Sequence, residues 1–286
     1  MTKQYILIDG SYYVFYRYFA LVNWWKLSHK GESLDNLNEN VEFIDKFKKL
    51  FQSKIKEIPS KIGISKDEIK DVTFIVGLDC KRENIWRNNL YSQYKSTRGS
   101  YNDKVLNPGP MFKMVYNEKL FENIEGINIK VLSNPCLEAD DCLAITTNYI
   151  RKNEDTSKIT IITSDTDYLQ LIQENVSLYT LRFKNVNTLK NSFGDAKKDL
   201  LYKIILGDKS DNIPSTFLKC GPMRATKYVN DVSLFEFDLY KDNANKNVDC
   251  NHNPYEQYKL NRRLIDFSLI PTIFKDDINK ILERII

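Results

Sequence analysis

Histidine is nearly missing from this chain, at two residues, and the five cysteines, at 80, 136, 142, 220 and 250, stand apart with no close-paired spacing. That excludes the common zinc sites and a disulfide framework, and points to reduced thiols inside a cell. No apolar run approaches the roughly 20 residues that cross a bilayer, and the N-terminus enters a buried-strand pattern without a signal-peptide pattern. A cytoplasmic setting with no membrane partner is therefore expected, in a host cell if the protein is viral. Glycine is scarce, at 10 residues, and no GxxxxGK, GxGxxG or GxSxG loop occurs. Nucleoside triphosphatases, dinucleotide enzymes and serine hydrolases are thereby disfavoured.

What is present is a folded composition: 286 residues, 42% hydrophobic and 28% charged, enough for one large domain or two small ones. Short apolar runs at 5–8, 72–78, 127–132, 159–163 and 176–181 alternate with helical patterns near 41–58, 111–123 and 139–151. Strands alternating with helices imply crossover units, hence an α/β fold with a mostly parallel central sheet flanked by helices. Beyond about 196 the strand pattern stops, and helices are expected near 197–206, 222–230, 255–269 and 275–285. The boundary is placed at 195, giving an α/β unit over 1–195 and a helical part over 196–286. Residues 241–254, rich in Asn and Lys, read as a loose surface insertion.

The acids fall in a pattern. Asp9, Asp79, Asp165 and Asp167 each lie just past a predicted strand; Glu138, Asp140 and Asp141 open the helix after 127–132, and Asp208 and Asp211 follow the helix after the last strand. In an open parallel sheet, residues distant in sequence converge in the crevice beyond the carboxyl ends of the strands. Two unit charges about 4 Å apart repel by about 4 kcal/mol at an effective dielectric of about 20, so such a cluster needs counter-ions. Oxygen-only donors select a hard cation, Mg²⁺ with Mn²⁺ as the alternative, and that much charge calls for two ions, the arrangement used for in-line phosphodiester hydrolysis. Setting these nine acids aside leaves 29 acidic against 42 basic residues, a basic body suited to a polyanion. Between 79 and 110, Lys81, Arg82, Arg87, Lys95 and Arg98 alternate with Trp86, Tyr91 and Tyr94, a mixture that suits a single strand passing between cations and aromatic faces. The tyrosines at 12, 13, 16 and 18 are expected mostly to pack against the sheet.

The blocks LIDGS (7–11), LDCKRENIWRNNLYSQYKSTRG (78–99), LEADDCLAI (137–145), TSDTDYLQLI (163–172) and LGDKSDNIP (206–214), in that order, resemble the 5′ nuclease family. That family comprises flap endonucleases, the 5′-nuclease domains of bacterial DNA polymerases and phage 5′–3′ exonucleases, and the stretch at 255–271 is similar to its T-even phage ribonuclease H branch. The resemblance implies a PIN-like fold with a helical arch over about 80–110 and a helical hairpin that grips duplex DNA. It implies a first metal held or surrounded by Asp9, Asp79, Glu138 and Asp140, a second served by Asp167, Asp208 and Asp211, and Asp141 and Asp165 near both. By the same resemblance Lys95 polarises the scissile phosphate and Arg98 holds it, with Asp165 and Asp167 essential to turnover. Lys81, Arg87 and Tyr94 then join Lys95 and Arg98 on the nucleic-acid surface, and Lys219, Arg224 and Lys227 contact duplex phosphates.

The expected activity is 5′–3′ exonuclease and flap endonuclease cleavage of DNA, and of RNA in RNA–DNA hybrids, at 5′ ends, nicks or flaps. Its place would be primer or flap removal in replication, by a monomer working beside replication proteins such as a single-strand-binding protein. The hairpin departs from the family pattern: residues 212–229 keep only Gly221, which argues against a potassium ion there. The alternatives are a PIN-like single-strand ribonuclease and a branched-DNA-binding relative without turnover.

Overall fold

The computed structural model describes residues 3–98, 106–122, 124–188, 192–244 and 252–286. Strands β1 (Gln4–Asp9), β2 (Val72–Gly77), β3 (Asn128–Leu132), β4 (Lys158–Ile162) and β5 (Val176–Tyr179) form one parallel sheet in the order β3-β2-β1-β4-β5. The chain starts at the centre, builds outward on one side, then returns to build on the other. The order therefore reverses between β1 and β4, where a crevice opens past the strand ends.

Alternation along the strands sorts the core into two layers. Ile6, Ile8, Phe74 and Val76 point to one face, while Tyr5, Leu7, Ile75, Ile159 and Ile161 point to the other. Helices α1 (Gly10–Ser28), α2 (Val41–Lys61) and α3 (Gly109–Asn117) cover the first face. On α2 the apolar stripe Phe43, Phe47, Phe51, Ile55 and Ile58 is wholly buried, as its spacing requires. Tyr13 and Tyr18 of α1 are in this core, with Tyr12 and Tyr16 partly buried against it. The opposite face carries α4 (Ala139–Asn153), whose Leu143 and Ile150 are buried there.

Helices α5 (Ala196–Leu206), α6 (Pro222–Asn230), α7 (Val232–Ala244) and α8 (Pro254–Ile265) then enclose a separate cluster around Phe217, Tyr228 and Phe235. The last helix, α9 (Thr272–Ile285), returns to the sheet layer, where Ile278 and Leu282 join the cluster of Ile159 and Ile161. No described helix is long and apolar enough to cross a membrane.

Several elements differ from expectation. The helix expected over 111–123 ends at Asn117, because Lys119 adopts a left-handed φ of 54° that breaks it. The helix expected over 255–269 stops at Ile265, where Asp266 caps a short 3₁₀ turn through Ser268 N. Helix α7 was not anticipated, since Phe235 and Leu239 are buried while Phe237 and Tyr240 are exposed, leaving no clean apolar stripe. Residues 241–244, expected in a loose insertion, belong to α7, and 252–254 lead into α8, whose cap is Asn253; the part of that expectation at 245–251 lies outside the described residues. In the expected arch, residues 80–98 form 3₁₀ turns at Arg82–Asn84 and Trp86–Asn89, and 99–105 lie outside the described residues.

Candidate active site

The carboxylates gather at the carboxyl rim of the sheet. Asp9 closes β1, paired in register with Gly77 of β2, and caps α1 by accepting Tyr12 N–H at 3.0 Å. Asp79, just beyond β2, accepts the Ala139 amide at 2.7 Å and the Ser11 hydroxyl. A Cβ at Gly77 would stand 2.7 Å from the Ala139 carbonyl, so glycine is what lets the start of α4, with Glu138, Asp140 and Asp141, press against the end of β2. Asp165 follows β4 and accepts the Asp167 amide at 2.9 Å.

The helical part delivers the remaining acids through a tight turn. Gly207 ends α5 at φ 72°, where a Cβ would meet the Ile213 carbonyl at 2.4 Å. Asp208 and Ile213 then exchange backbone hydrogen bonds of 2.9 and 2.7 Å, and the Asp211 carbonyl accepts Lys95 N–H at 2.8 Å. The turn is thus fastened to the basic segment. Between the basic segment and the strand ends lies a cleft of about 240 Å³ whose walls include Asp9, Asp79, Asp140, Asp165, Lys95 and Arg98.

Within this rim, carboxylate oxygens of Glu138, Asp140 and Asp141 lie within 4.8 Å of one another, as do those of Asp167, Asp208 and Asp211. Both are all-oxygen donor sets, which fit a hard divalent cation. Burial, then repulsion from Asp79, pushes the Asp9 carboxyl up to about 6. Burial, then Asp141 and Glu138, holds Asp140 well above the usual carboxylate range. Asp167 is pushed up to about 7 by burial and by Asp165, although Lys203 pulls the other way. For Asp208 burial is outweighed by the Lys203 ammonium and the Ser210 hydrogen bonds, and it sits below the usual range.

Cations meet part of this charge. Lys95, in a left-handed backbone conformation of φ 55°, pairs with Glu138 and reaches Asp211 at 3.6 Å. Arg98 pairs with Asp211 while remaining half exposed. Lys203 on α5 bridges Asp167 and Asp208, at 2.6 Å to each. Sequence reasoning passed over Lys203; its position five residues before Asp208, in the last turn of the helix that leads to it, was the available signal. It also passed over Ser11 and over Tyr116, whose hydroxyl lies 3.4 Å from that of Ser11.

Two residues expected on the nucleic-acid surface are elsewhere. Arg87 is 2% exposed: its guanidinium forks onto Asp141 at 2.7 Å twice, meets Glu138 at 3.1 Å and donates Nε–H to the Leu264 carbonyl at 2.7 Å. Tyr94 is buried, its hydroxyl donating to Glu138 at 2.9 Å. The aromatic and cationic character read from this segment as a contact surface is, at these two positions, internal support for the acids. Asp141, wholly buried, has both oxygens engaged by Arg87 and also accepts Trp86 Nε1–H at 3.0 Å.

Lys81 is exposed at the mouth of the basic segment, and Lys219, Arg224 and Lys227 are exposed around the start of α6. Arg224 is held in place, stacked 5.1 Å from the Phe217 ring and donating to the Tyr228 hydroxyl at 2.7 Å.

Residues 4–197 match the family model described as the 5′–3′ exonuclease N-terminal, resolvase-like domain. The chain is 28% identical over 235 residues to a 5′–3′ exonuclease of Buchnera aphidicola from Acyrthosiphon pisum, covering 81% of this chain and 71% of that one. To ribonuclease H of Enterobacteria phage T4 it is 26% identical over 225 residues, covering 74% and 70%. Three 5′–3′ exonucleases are matched over 61 to 71% of their own lengths. In shape it is similar to the 5′-exonuclease of phage T5 solved with bound zinc, with a TM-score of 0.65, 16% identity and 99% of both chains covered. A T5 flap endonuclease in a pseudo-enzyme-product complex with DNA and metal ions gives 0.63 at 14% identity, with the same coverage.

Proposed function

This chain belongs to the 5′–3′ exonuclease family, and on that premise we propose that it is a metal-dependent 5′ nuclease cutting DNA, and RNA paired to DNA, at 5′ ends, nicks and flaps. The observation that carries the reading is the meeting of acids from β1, β2, β4, the start of α4 and the turn after α5 at one rim, beside Lys95 and Arg98. A pair of Mg²⁺ ions, replaceable by Mn²⁺, is assigned to the two ends of this rim. Asp9, Asp79, Glu138, Asp140 and Asp165 serve the sheet end; Asp167, Asp208 and Asp211 serve the helical end.

Bound divalent ions supply a Lewis acid for the scissile phosphate and an acidified water there. The chain's own groups do the positioning. Lys95 and Arg98 hold the phosphate, at the point where charge develops during displacement. Lys81 guides the single strand towards them, and Lys219, Arg224 and Lys227 hold the duplex through its phosphates. The functional division follows the same line: residues 1–195 cut, and 196–286 mainly grip. A monomer acting in primer or flap removal in the cytoplasm, alongside replication proteins, completes the reading.

The test is a 5′-labelled flap substrate, run once as DNA and once with an RNA flap, with Mg²⁺ or with chelator. A product ladder that needs Mg²⁺ and vanishes in Asp165→Asn with Asp167→Asn is expected. Uncut substrate, or cutting indifferent to chelator, would overturn it.

A further inference from the structure

Lys203 occupies an unusual place. Its side chain is 18% exposed and its ammonium bridges Asp167 and Asp208, two of the three acids that converge at the helical end of the rim. At the sheet end, no Lys or Arg nitrogen among the described residues lies within 4.0 Å of Asp9, Asp79, Asp140 or Asp165. A cation entering the sheet end meets these four acids without a cationic partner, Glu138 beside them being the one already paired, with Arg87 and Lys95. A cation entering the helical end must break the two ion pairs of Lys203, and it finds Asp211 already paired with Arg98 and Lys95. Asp167 and Asp208 are also the acids within 4.0 Å of Lys203 among the described residues, so an ammonium driven off them needs another anion. The nearest anion that the reaction brings is a phosphodiester of the nucleic acid.

We propose that Lys203 is a displaceable internal counter-ion, which keeps the divalent site of Asp167, Asp208 and Asp211 weak until a nucleic-acid phosphate arrives to take its ammonium. This rests on the metal-dependent reading above and adds an order of events to it. The sheet end loads first, from the ion alone. The helical end loads with substrate, so ion and nucleic acid each tighten the other's binding, as reciprocal coupling requires.

The test uses Mn²⁺ alone, without nucleic acid, titrated into the full chain and followed by calorimetry and by the electron paramagnetic resonance of free Mn²⁺. Wild-type protein is expected to bind one ion tightly and a second at least ~10-fold more weakly, the direction set by the ion pairs the second must break. Lys203→Met should tighten the second site by ~10-fold or more, while Lys203→Arg, which keeps the charge, should leave it weak. Should Lys203→Met not fold without metal, its thermal midpoint against Mn²⁺ concentration gives the same affinity, and the arginine variant still reads the charge. Equal second-site affinities in wild type and Lys203→Met would overturn the proposal while leaving the nuclease reading standing. No Mn²⁺ binding by wild type at all would overturn the metal-dependent reading, and this proposal with it.

Discussion

The sheet end and the helical end of the acidic rim solve one electrostatic problem in two ways. At the sheet end Asp9, Asp79, Asp140 and Asp165 stand without a cation within 4.0 Å among the described residues, only Glu138 there being paired, with Lys95 and Arg87; burial and then Asp79 push Asp9 upward, and burial and then Asp141 and Glu138 push Asp140 upward. At the helical end Lys203, Lys95 and Arg98 share Asp167, Asp208 and Asp211. The difference teaches that charge density alone does not mark where an ion binds most readily. What matters is whether the chain already carries its own substitute.

The strongest way to break the comparison is to empty the sheet end. Asp79→Asn should lower the cleavage rate on a 5′-labelled flap by on the order of 10³-fold, with the fold retained by circular dichroism, because an anion facing no side-chain cation has no stand-in. A loss below tenfold would show that the two ends are not distinct.

Next is the support behind the rim. Arg87→Met removes the partner of buried Asp141 and should cost about 3–5 kcal/mol in chemical denaturation. Arg98→Ala, at a half-exposed site, should lower turnover with little change in stability. Equal stability losses would erase the distinction between a buried brace and a working cation.

A third prediction concerns pH. Asp9 and Asp167 have folded values of about 6 and about 7, above the usual aspartate value of 3.8. An acid raised in the fold destabilises it once ionised, so stability is greatest below the unfolded value and falls as pH rises through the folded one. Asp208 has the opposite sign, but its contribution is lost only when pH falls below the usual aspartate range. In chelator, the melting temperature should therefore fall between about pH 5 and about pH 8. Saturating Mg²⁺ should remove most of that slope, and a melting temperature that climbs with pH in chelator would contradict the account.

The smallest effect is expected far from the acids. Lys227→Ala should reduce the slope of log affinity against log salt by about 0.9 on duplex DNA while leaving the cleavage rate of bound substrate nearly unchanged.

Much of this was legible in the sequence, for identifiable reasons. The parallel sheet shows because β1, β2 and β4 are short apolar runs with acids just past their ends, and α2 shows because its stripe is regular. The meeting of Asp9, Asp79 and Asp165 follows from topology alone. Where reading failed, the cause was tertiary. Arg87 and Tyr94 look like surface residues by type and neighbourhood, yet the carboxylates behind them make burial favourable. Lys203 sits in an ordinary-looking helix, and only the fold brings Asp167 beside it. Helix α7 has apolar residues on both its buried and exposed sides, so no periodicity marked it.

The return of α9 to the sheet has a mechanical consequence. Because Ile278 and Leu282 are seated under α4 while α5 to α8 lie between, the segment that carries Asp208 and Asp211 is anchored fore and aft, like a strap buckled at both ends. Trimming the final helix would therefore loosen the distance across the cleft itself, a remote edit felt at the cutting point.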